Sequence, residues 1–600
     1  MALLPLADEA VCDYASLSIL SRENKMLSPR VEKLIAGMTL EQKVGQMVCL
    51  GFSGVYPYPD IVEMVEKYHI GGYRVTPHGR KFARYFSGDT PAGARVTRAP
   101  QYNERVFSTD LMSPRITGRQ WGQTANLLRK RSLETGAGIP LYFVLDYEGG
   151  QSADLLVPGL SVFPHAMGLA ASGDSSLCRR VARANARQLK ALGIDAIHSP
   201  VLDVNTHPDN PEIGTRSYSP KTQDVIKYAA ESLAGFTEGG VWATAKHFPG
   251  RGHSTADVHF GVATIDESAE RMRDIHLAPY RALIAQGLPS IMLAHSVFPG
   301  IDPDKEIATL SRAIITDVLR GELGFDGMVM TDSFTMGGLV AKYEVNEAAI
   351  MCIQHGVDLI LLKDETALRG ELFDGLTAAV RSGRITEDRL HNAVGHVLSL
   401  KERFGLLDGA KGMVDLDKVQ STLDEPVNAQ VQVEAAQKSV VVLRDEANLL
   451  PLKPGQRVLV VEQLAPIMRR QNDEFAHIGA LHQRLLENGV DAIYGEFVYG
   501  KLDDVWSKIQ QRAAQVDLVI HTGFYERGKD PRRSHDQFLT LGKPTIFVTN
   551  SCYNEIVSPK MQTVVVTFAA WNPSLQAAAD VIAGKLKATA KLDFDPTKVY

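Results

Sequence analysis

Val241-Trp242-Ala243-Thr244-Ala245-Lys246-His247-Phe248-Pro249-Gly250-Arg251-Gly252 is the stretch that decides the fold. Its first five residues, apolar but for one threonine, read as a short buried strand. A Lys-His pair ends that run, and a glycine- and proline-rich turn follows. Asp257 and His259 then stand two residues apart. One strand-turn unit therefore carries a cation, hydrogen-bond donors and an imidazole with its own carboxylate. An imidazole of ordinary pKa, about 6.5, passes protons near neutral pH.

Working outward, seven more apolar or β-branched runs lie at 44–50, 71–75, 141–145, 196–204, 290–294, 327–330 and 357–362. Amphipathic helical patterns separate many of them, among them 176–192, 222–238, 268–286 and 311–323. Eight such units in series predict an α/β fold of the (β/α)8 TIM-barrel type rather than an open doubly wound sheet. The polar residues then fall in a telling place. Arg74, Asp146, Asp203, Lys246, His247, His295, Asp332 and Lys363 stand at or just beyond the C-terminal ends of the runs. In a parallel barrel that end is where active sites are built.

Residues 1–405 are thus expected to form the barrel, with an arginine-rich insertion at about 76–120 that serves as an interface or a lid. A glycine-bearing linker is expected at 406–430. Beyond it, residues 431–600 show a helix leading into a strand at 435–443, then strands at 458–461, 518–521, 545–549 and 563–568. Helical segments intervene at 480–488 and 505–514. Four or five strands suit a smaller α/β/α sandwich domain. No G-x-G-x-x-G opens a helix after its first strand, so dinucleotide binding is not supported.

The 600 residues exceed one compact domain. A net charge of -6 gives no reason to expect nucleic acid or an anionic membrane as partner. The five cysteines are scattered and lack CxxC spacing, which predicts reduced thiols and neither disulfide nor zinc framework. The first residues do not read as a signal peptide, and no apolar run reaches membrane-spanning length. A cytoplasmic location is the expectation.

Asp332 ends the run Met328-Val329-Met330-Thr331, where a carboxylate can be a nucleophile, a metal ligand or a cap. Asp257 and His259 can be a proton-transfer pair, or a turn cap and a surface histidine. Asp146-Tyr147-Glu148-Gly149-Gly150 sets two carboxylates beside flexible backbone, which suits hydroxyl recognition. Asp203-Val204-Asn205 is a further strand-end site, followed by 210–218. Arg216, Lys246 and His247 would give fixed donors to an oxygen-rich ligand. Each of these alone could equally be a rim salt bridge.

Together the motifs resemble glycoside hydrolase family 3, and within it the β-N-acetylglucosaminidase branch. They are DYEGG at 146–150, SPVLDVN at 199–205, NPEIGTRSY at 210–218, KHFPGRG at 246–252, DVH at 257–259, LSRAIITDVLRGELGFDGMVMTD at 310–332 and HGVDLIL at 355–361. VEAAQKSVVVLRDEANLLPL at 433–452 looks like the entry to that family's second domain. The resemblance implies a retaining, two-step, exo-acting β-N-acetylglucosaminidase without cofactor or metal. In it Asp332 is the nucleophile, His259 the acid/base and Asp257 its orienting carboxylate. Asp146, Arg216, Lys246 and His247 hold sugar hydroxyls of a small-molecule carbohydrate substrate.

The chain departs from the branch at Arg251, at Val258 and above all at Asp154, which stands where an arginine that contacts the sugar is usual. An acid there would suit an amino or otherwise cationic substituent. A neutral imidazole acid/base also admits phosphate as acceptor, so phosphorolysis or another glycon is the alternative within the family. Outside it, His247, His253, Asp257, His259, His295 and Asp332 could serve a metal-dependent hydrolase, although no H-x-H stands around 51–54. A sugar-binding protein on the same barrel is the non-enzymatic reading. For the second domain the expectations are completion of the cleft, homodimer formation or support of the barrel.

Overall fold

The protein is described by a computed structural model that covers residues 27–76, 116–256, 262–336, 339, 342–363, 367–464, 475–498, 500–525 and 535–600. Asp257, His259 and residues 77–115 of the expected insertion lie outside the described residues.

Eight parallel strands form the first sheet. They are β1 (Val48–Ser53), β2 (Gly72–Thr76), β3 (Tyr142–Leu145), β4 (Ala196–Ile197), β5 (Trp242–Phe248), β6 (Ser290–Leu293), β7 (Met328–Thr331) and β8 (Ile360–Leu362). Neighbours follow chain order from β1 to β7, and β8 pairs with β1, Leu50 against Leu362. An isolated parallel bridge between Met330 and Leu359 joins the two ends, so the sheet closes into the expected barrel.

The strand period of two builds its interior in layers. Cys49, Tyr142, Val144, Ala196, Trp242, Met292, Met328, Met330, Leu359 and Leu361 pack together inside it. One pleat further on, the same inward rows reach Gly51, Arg74, Asp146, His198, Lys246, Ala294, Asp332 and Lys363. The apolar layers exclude water beneath, and this last layer becomes the floor of a cleft.

Local boundaries differ from the sequence expectation in three places. Val44 belongs to a helix, Leu40–Gln46, whose start is fixed by a reciprocal cap between Thr39 and Gln42. The run at 196–204 is a strand only at Ala196–Ile197, after which an irregular segment touches β5 through a bridge from Val201 to Lys246. The segment at 406–430 contains the helix Val419–Leu423 and the start of the helix Pro426–Ser439.

The second sheet has six strands: β9 (Val441–Asp445), β10 (Arg457–Leu464), β11 (Asp491–Val498), β12 (Leu518–Gly523), β13 (Thr545–Thr549) and β14 (Thr563–Val566). Their order is β9-β14-β13-β12-β10-β11, and only β9 is antiparallel to its neighbour. This sandwich meets the barrel near its cleft. Tyr525 Oη donates to Pro211 O at 2.8 Å, and His165 N donates to Phe568 O at 3.0 Å. Among the described residues no helix is long and apolar enough to cross a membrane, and the four cysteines are buried free thiols.

Candidate active site

The DYEGG segment turns out of β3 into a short antiparallel ribbon, Tyr147–Gly149 against Ser152–Ala153. The turn requires its glycines. Gly149 and Gly150 have φ of 92° and 53°, and an added Cβ would lie 2.2 Å from Pro164 O or 2.0 Å from His165 Nε2. That tight ribbon folds Asp154 back onto Asp146, whose backbone N donates to Asp154 Oδ2 at 3.0 Å.

Asp146 is the hub of one ion network. Lys246 Nζ lies 3.0 Å from its Oδ1, His198 Nδ1 donates to the same oxygen at 3.1 Å, and Arg74 Nη2 pairs with its Oδ2. Against the upward pull of burial, Lys246 and Arg74 hold the carboxyl pKa well below the usual range. Arg74 Nη2 also lies 2.5 Å from Asp154 Oδ2. Burial pushes Asp154 up to about 6 despite that guanidinium, with the Asp146 charge adding to the rise.

Glu148 is the hub of a second network. Arg216 grips it with two parallel bonds, from Nε at 2.8 Å and Nη2 at 2.9 Å, and Lys246 Nζ lies 2.5 Å from its Oε1. Burial works against these cations, yet Arg216 and Lys246 keep Glu148 ionised far below its ordinary pKa.

The KHFPGRG turn is anchored on Asp203. Its Oδ1 accepts from Arg251 N at 2.7 Å and its Oδ2 from His247 Nδ1 at 2.7 Å. Donation from Nδ1 leaves the lone pair of the His247 ring on Nε2. Burial, with Arg251, Arg216 and Lys246 nearby, pushes the His247 pKa well down, so the ring is neutral and accepts a hydroxyl proton. Arg251 Nη2 donates to Glu212 Oε1 at 2.8 Å.

Asp332 closes β7 in the same inward layer. Its Oδ1 accepts Ser333 N at 2.7 Å, and no ion-pair partner lies within contact distance among the described residues. Burial favours the neutral acid, but His295, Arg251, Lys363 and the Ser333 amide hold the pKa well below the ordinary value. Burial pushes the pKa of His295 itself down, so Arg251 and Lys363 supply the persistent charge at neutral pH. The result is an ionised carboxylate that is free of a tight partner, the state a nucleophile needs.

The structure thus brings Asp146, Asp154, Arg216, Lys246, His247 and Asp332 to one cleft. Asp257 and His259 lie outside the described residues, and the chain leading to them passes through Ser254 and Ala256 beside Arg251. Asp154 is not a free acid. Arg74 on β2 takes it as a counter-ion. Two groups escaped sequence reading as site members, His198 and Glu212, while Glu148, read for hydroxyl recognition, is instead set between two cations. The period-two step from Ala196 inward is the signal that finds His198. The proposed metal-ligand set is otherwise engaged, His247 on Asp203, His253 on Thr206 and Glu267, and His295 on Thr309 and Ser333. Among the described residues no group of three or more His, Cys, Asp or Glu is placed to hold a metal ion.

Residues 39–400 match the family model described as Glycosyl hydrolase family 3 N terminal domain. Beta-hexosaminidase A of Pseudoalteromonas piscicida is 26% identical over 409 residues, spanning 63% of this chain and 67% of that protein. Beta-N-acetylglucosaminidase/beta-glucosidase of Cellulomonas fimi is 28% identical over 482 residues, spanning 76% and 83%. A solved β-N-acetylglucosaminidase of the same family from Paenibacillus sp. str. FPU-7 superposes with a TM-score of 0.79 at 28% identity. That match covers 94% of this chain and 100% of the other.

Proposed function

The chain belongs to glycosyl hydrolase family 3, and on that premise we propose that it is an exo-acting, retaining β-N-acetylglucosaminidase. Asp332 attacks the anomeric carbon of a terminal β-linked N-acetylamino sugar and forms a glycosyl-enzyme ester as the aglycone leaves. His259, oriented by Asp257, protonates the leaving oxygen and then takes the proton of the incoming water. Asp146 accepts bonds from sugar hydroxyls, and Lys246 and Arg216 are held in place by Glu148 to donate to them. Neutral His247 adds an acceptor at Nε2.

The observation that carries this reading is Asp332 itself, an ionised carboxylate at a barrel strand end beside a ring of oriented donors. The names of the two enzymes of Pseudoalteromonas and Cellulomonas support the choice of glycon. The test is release of nitrophenol from the aryl β-N-acetylglucosaminide, β-glucosaminide, β-glucoside and β-xyloside by wild type, Asp332→Asn and His259→Ala. The reading predicts preference for the N-acetylglucosaminide, loss of turnover in Asp332→Asn, and recovery of His259→Ala by added azide. A preferred glucoside or xyloside would overturn the glycon, and unchanged turnover in Asp332→Asn would overturn the mechanism.

A further inference from the structure

Asp257 and His259 stand in the sequence between two described feet of chain. The first foot continues the KHFPGRG turn. Ser254 N donates to Arg251 O at 3.2 Å, and Ser254 Oγ donates to Ala256 O at 2.7 Å. The second foot is the parallel pairing of Ala263 and Thr264 with Ser296 and Val297, extended by Ile265 N to Val297 O at 2.8 Å. A side chain from just before the first foot meets one from just after the second, where His253 Nδ1 lies 3.2 Å from Glu267 Oε1.

Glu267 is buried. Against the upward pull of burial, His276, Arg271 and His253 hold its pKa down to about 2, so at neutral pH it is a carboxylate that only accepts. The hydrogen in the contact therefore sits on His253 Nδ1, which lies 2.8 Å from Thr206 Oγ1 as well. Arg271 braces the carboxylate from Nε at 2.5 Å and Nη2 at 3.1 Å, and His276 Nε2 stands 3.8 Å from it. Two ties then run to the second domain. Arg271 Nη2 donates to Tyr600 O at 2.7 Å, and Tyr600 N donates to Thr206 O at 2.8 Å. Residues 591–600 are themselves fixed to the barrel, by Lys591 N to Ala171 O at 2.9 Å and Lys221 Nζ to Asp593 Oδ2 at 2.9 Å.

Resting on the reading of His259 as acid/base, we propose that His253 and Glu267 form a clasp across the base of the segment that carries Asp257 and His259. Both are positioning residues for proton transfer. The contact fixes the separation of the two feet, and so limits how far the imidazole between them can shift from the leaving oxygen. A displacement of ~1 Å costs on the order of 100-fold in rate. The ties through Arg271 and Thr206 also give the second domain a share in the reaction, because residues 591–600 hold both neighbours that brace the clasp.

The experiment measures kcat/KM for two glycosides of the sugar that wild type prefers, one releasing dinitrophenol and one releasing phenol. Dinitrophenolate departs without a proton, whereas phenol needs the acid. The full chain is compared as wild type, His253→Leu, His253→Asn, Arg271→Gln and His259→Ala. His253→Leu should lose ~10- to 100-fold on the phenyl glycoside and less than ~3-fold on the dinitrophenyl one. The Asn amide can donate where Nδ1 does, so His253→Asn should recover most of that loss. Arg271→Gln, at a half-exposed position, cuts the brace and should show the same selectivity at ~3- to 10-fold. A merely structural role would lower both substrates alike, in step with the folded fraction seen by circular dichroism. Equal losses on both glycosides, or none on either, in His253→Leu beside a selective loss in His259→Ala would overturn the clasp. Should His253→Leu fail to fold, Arg271→Gln decides in the same way. A His259→Ala chain that treats both leaving groups alike, or a wild type that turns over neither, would overturn the acid/base reading and the clasp's role with it.

Discussion

The second domain holds a device whose pH response follows directly from its packing. His521 on β12 and His535 stack with ring centroids 5.6 Å apart, and Phe538 lies 4.1 Å from the first ring and Phe547 5.0 Å from the second. Both histidines are fully buried, and among the described residues none of their four ring nitrogens has a polar partner. Burial pushes the His535 pKa down to about 3, and burial together with His535 pushes His521 well down. In the unfolded chain each ring takes up a proton near pH 6.5. Below that pH the unfolded state binds more protons than the native one, so stability falls as pH drops from about 6.5 toward 3. At pH 5 the loss from His535 alone is about 2 kcal/mol, that is ~1.5 pH units at ~1.36 kcal/mol each. His521 adds a loss of the same sign. His535→Phe removes the proton uptake and keeps an aromatic ring in the stack. Urea denaturation at pH 7 and pH 5, followed by tryptophan fluorescence with Trp506 against Phe538 as local reporter, measures the difference. The variant should lose about 2 kcal/mol less than wild type between the two pH values. Equal losses would refute the reasoning.

Three further outcomes follow from the cleft and its turns. Glu148→Gln leaves Arg216 and Lys246 short of one buried negative charge, so thermal or urea unfolding should record a loss of ~3–5 kcal/mol and kcat/KM should fall with it. Gly252→Ala would set a Cβ 1.7 Å from the Val204 carbonyl oxygen, backbone against backbone. That variant should lose the KHFPGRG turn at a cost above ~4 kcal/mol, seen as loss of the cooperative transition in circular dichroism. Dialysis against a chelator should leave turnover unchanged, and loss that zinc or magnesium restores would favour the metal-dependent hydrolase.

Much of this was legible because a barrel strand has a side-chain period of two and ends where its polar residues begin. Met330 to Asp332, Leu361 to Lys363 and Val144 to Asp146 each step from the apolar layer to the cleft, and the sequence carries that step openly. The helices Thr222–Glu238 and Ser175–Ala191 followed from amphipathic spacing in the same way. Legibility failed where two distant segments solve one problem. Arg74 and Asp154 lie 80 positions apart, and nothing in either neighbourhood reveals that one charge answers the other. Asp154 alone therefore gave no sign of its counter-ion. His198 stayed hidden because an apolar run continues past it to Val204 although the strand stops at Ile197. The strand Asp491–Val498 escaped because it is an edge strand with half-exposed, mixed residues, which leaves no apolar run to read.

The central claim is that Asp332 carries the sugar between two chemical steps. The most direct measurement is to incubate the protein with an activated fluorosugar that glycosylates quickly and turns over slowly, digest it, and locate the label by mass spectrometry. The account predicts one sugar per chain on the peptide containing Asp332, with no label in Asp332→Asn. A label on another residue, or full turnover by an Asp332→Asn chain that never becomes labelled, would contradict it.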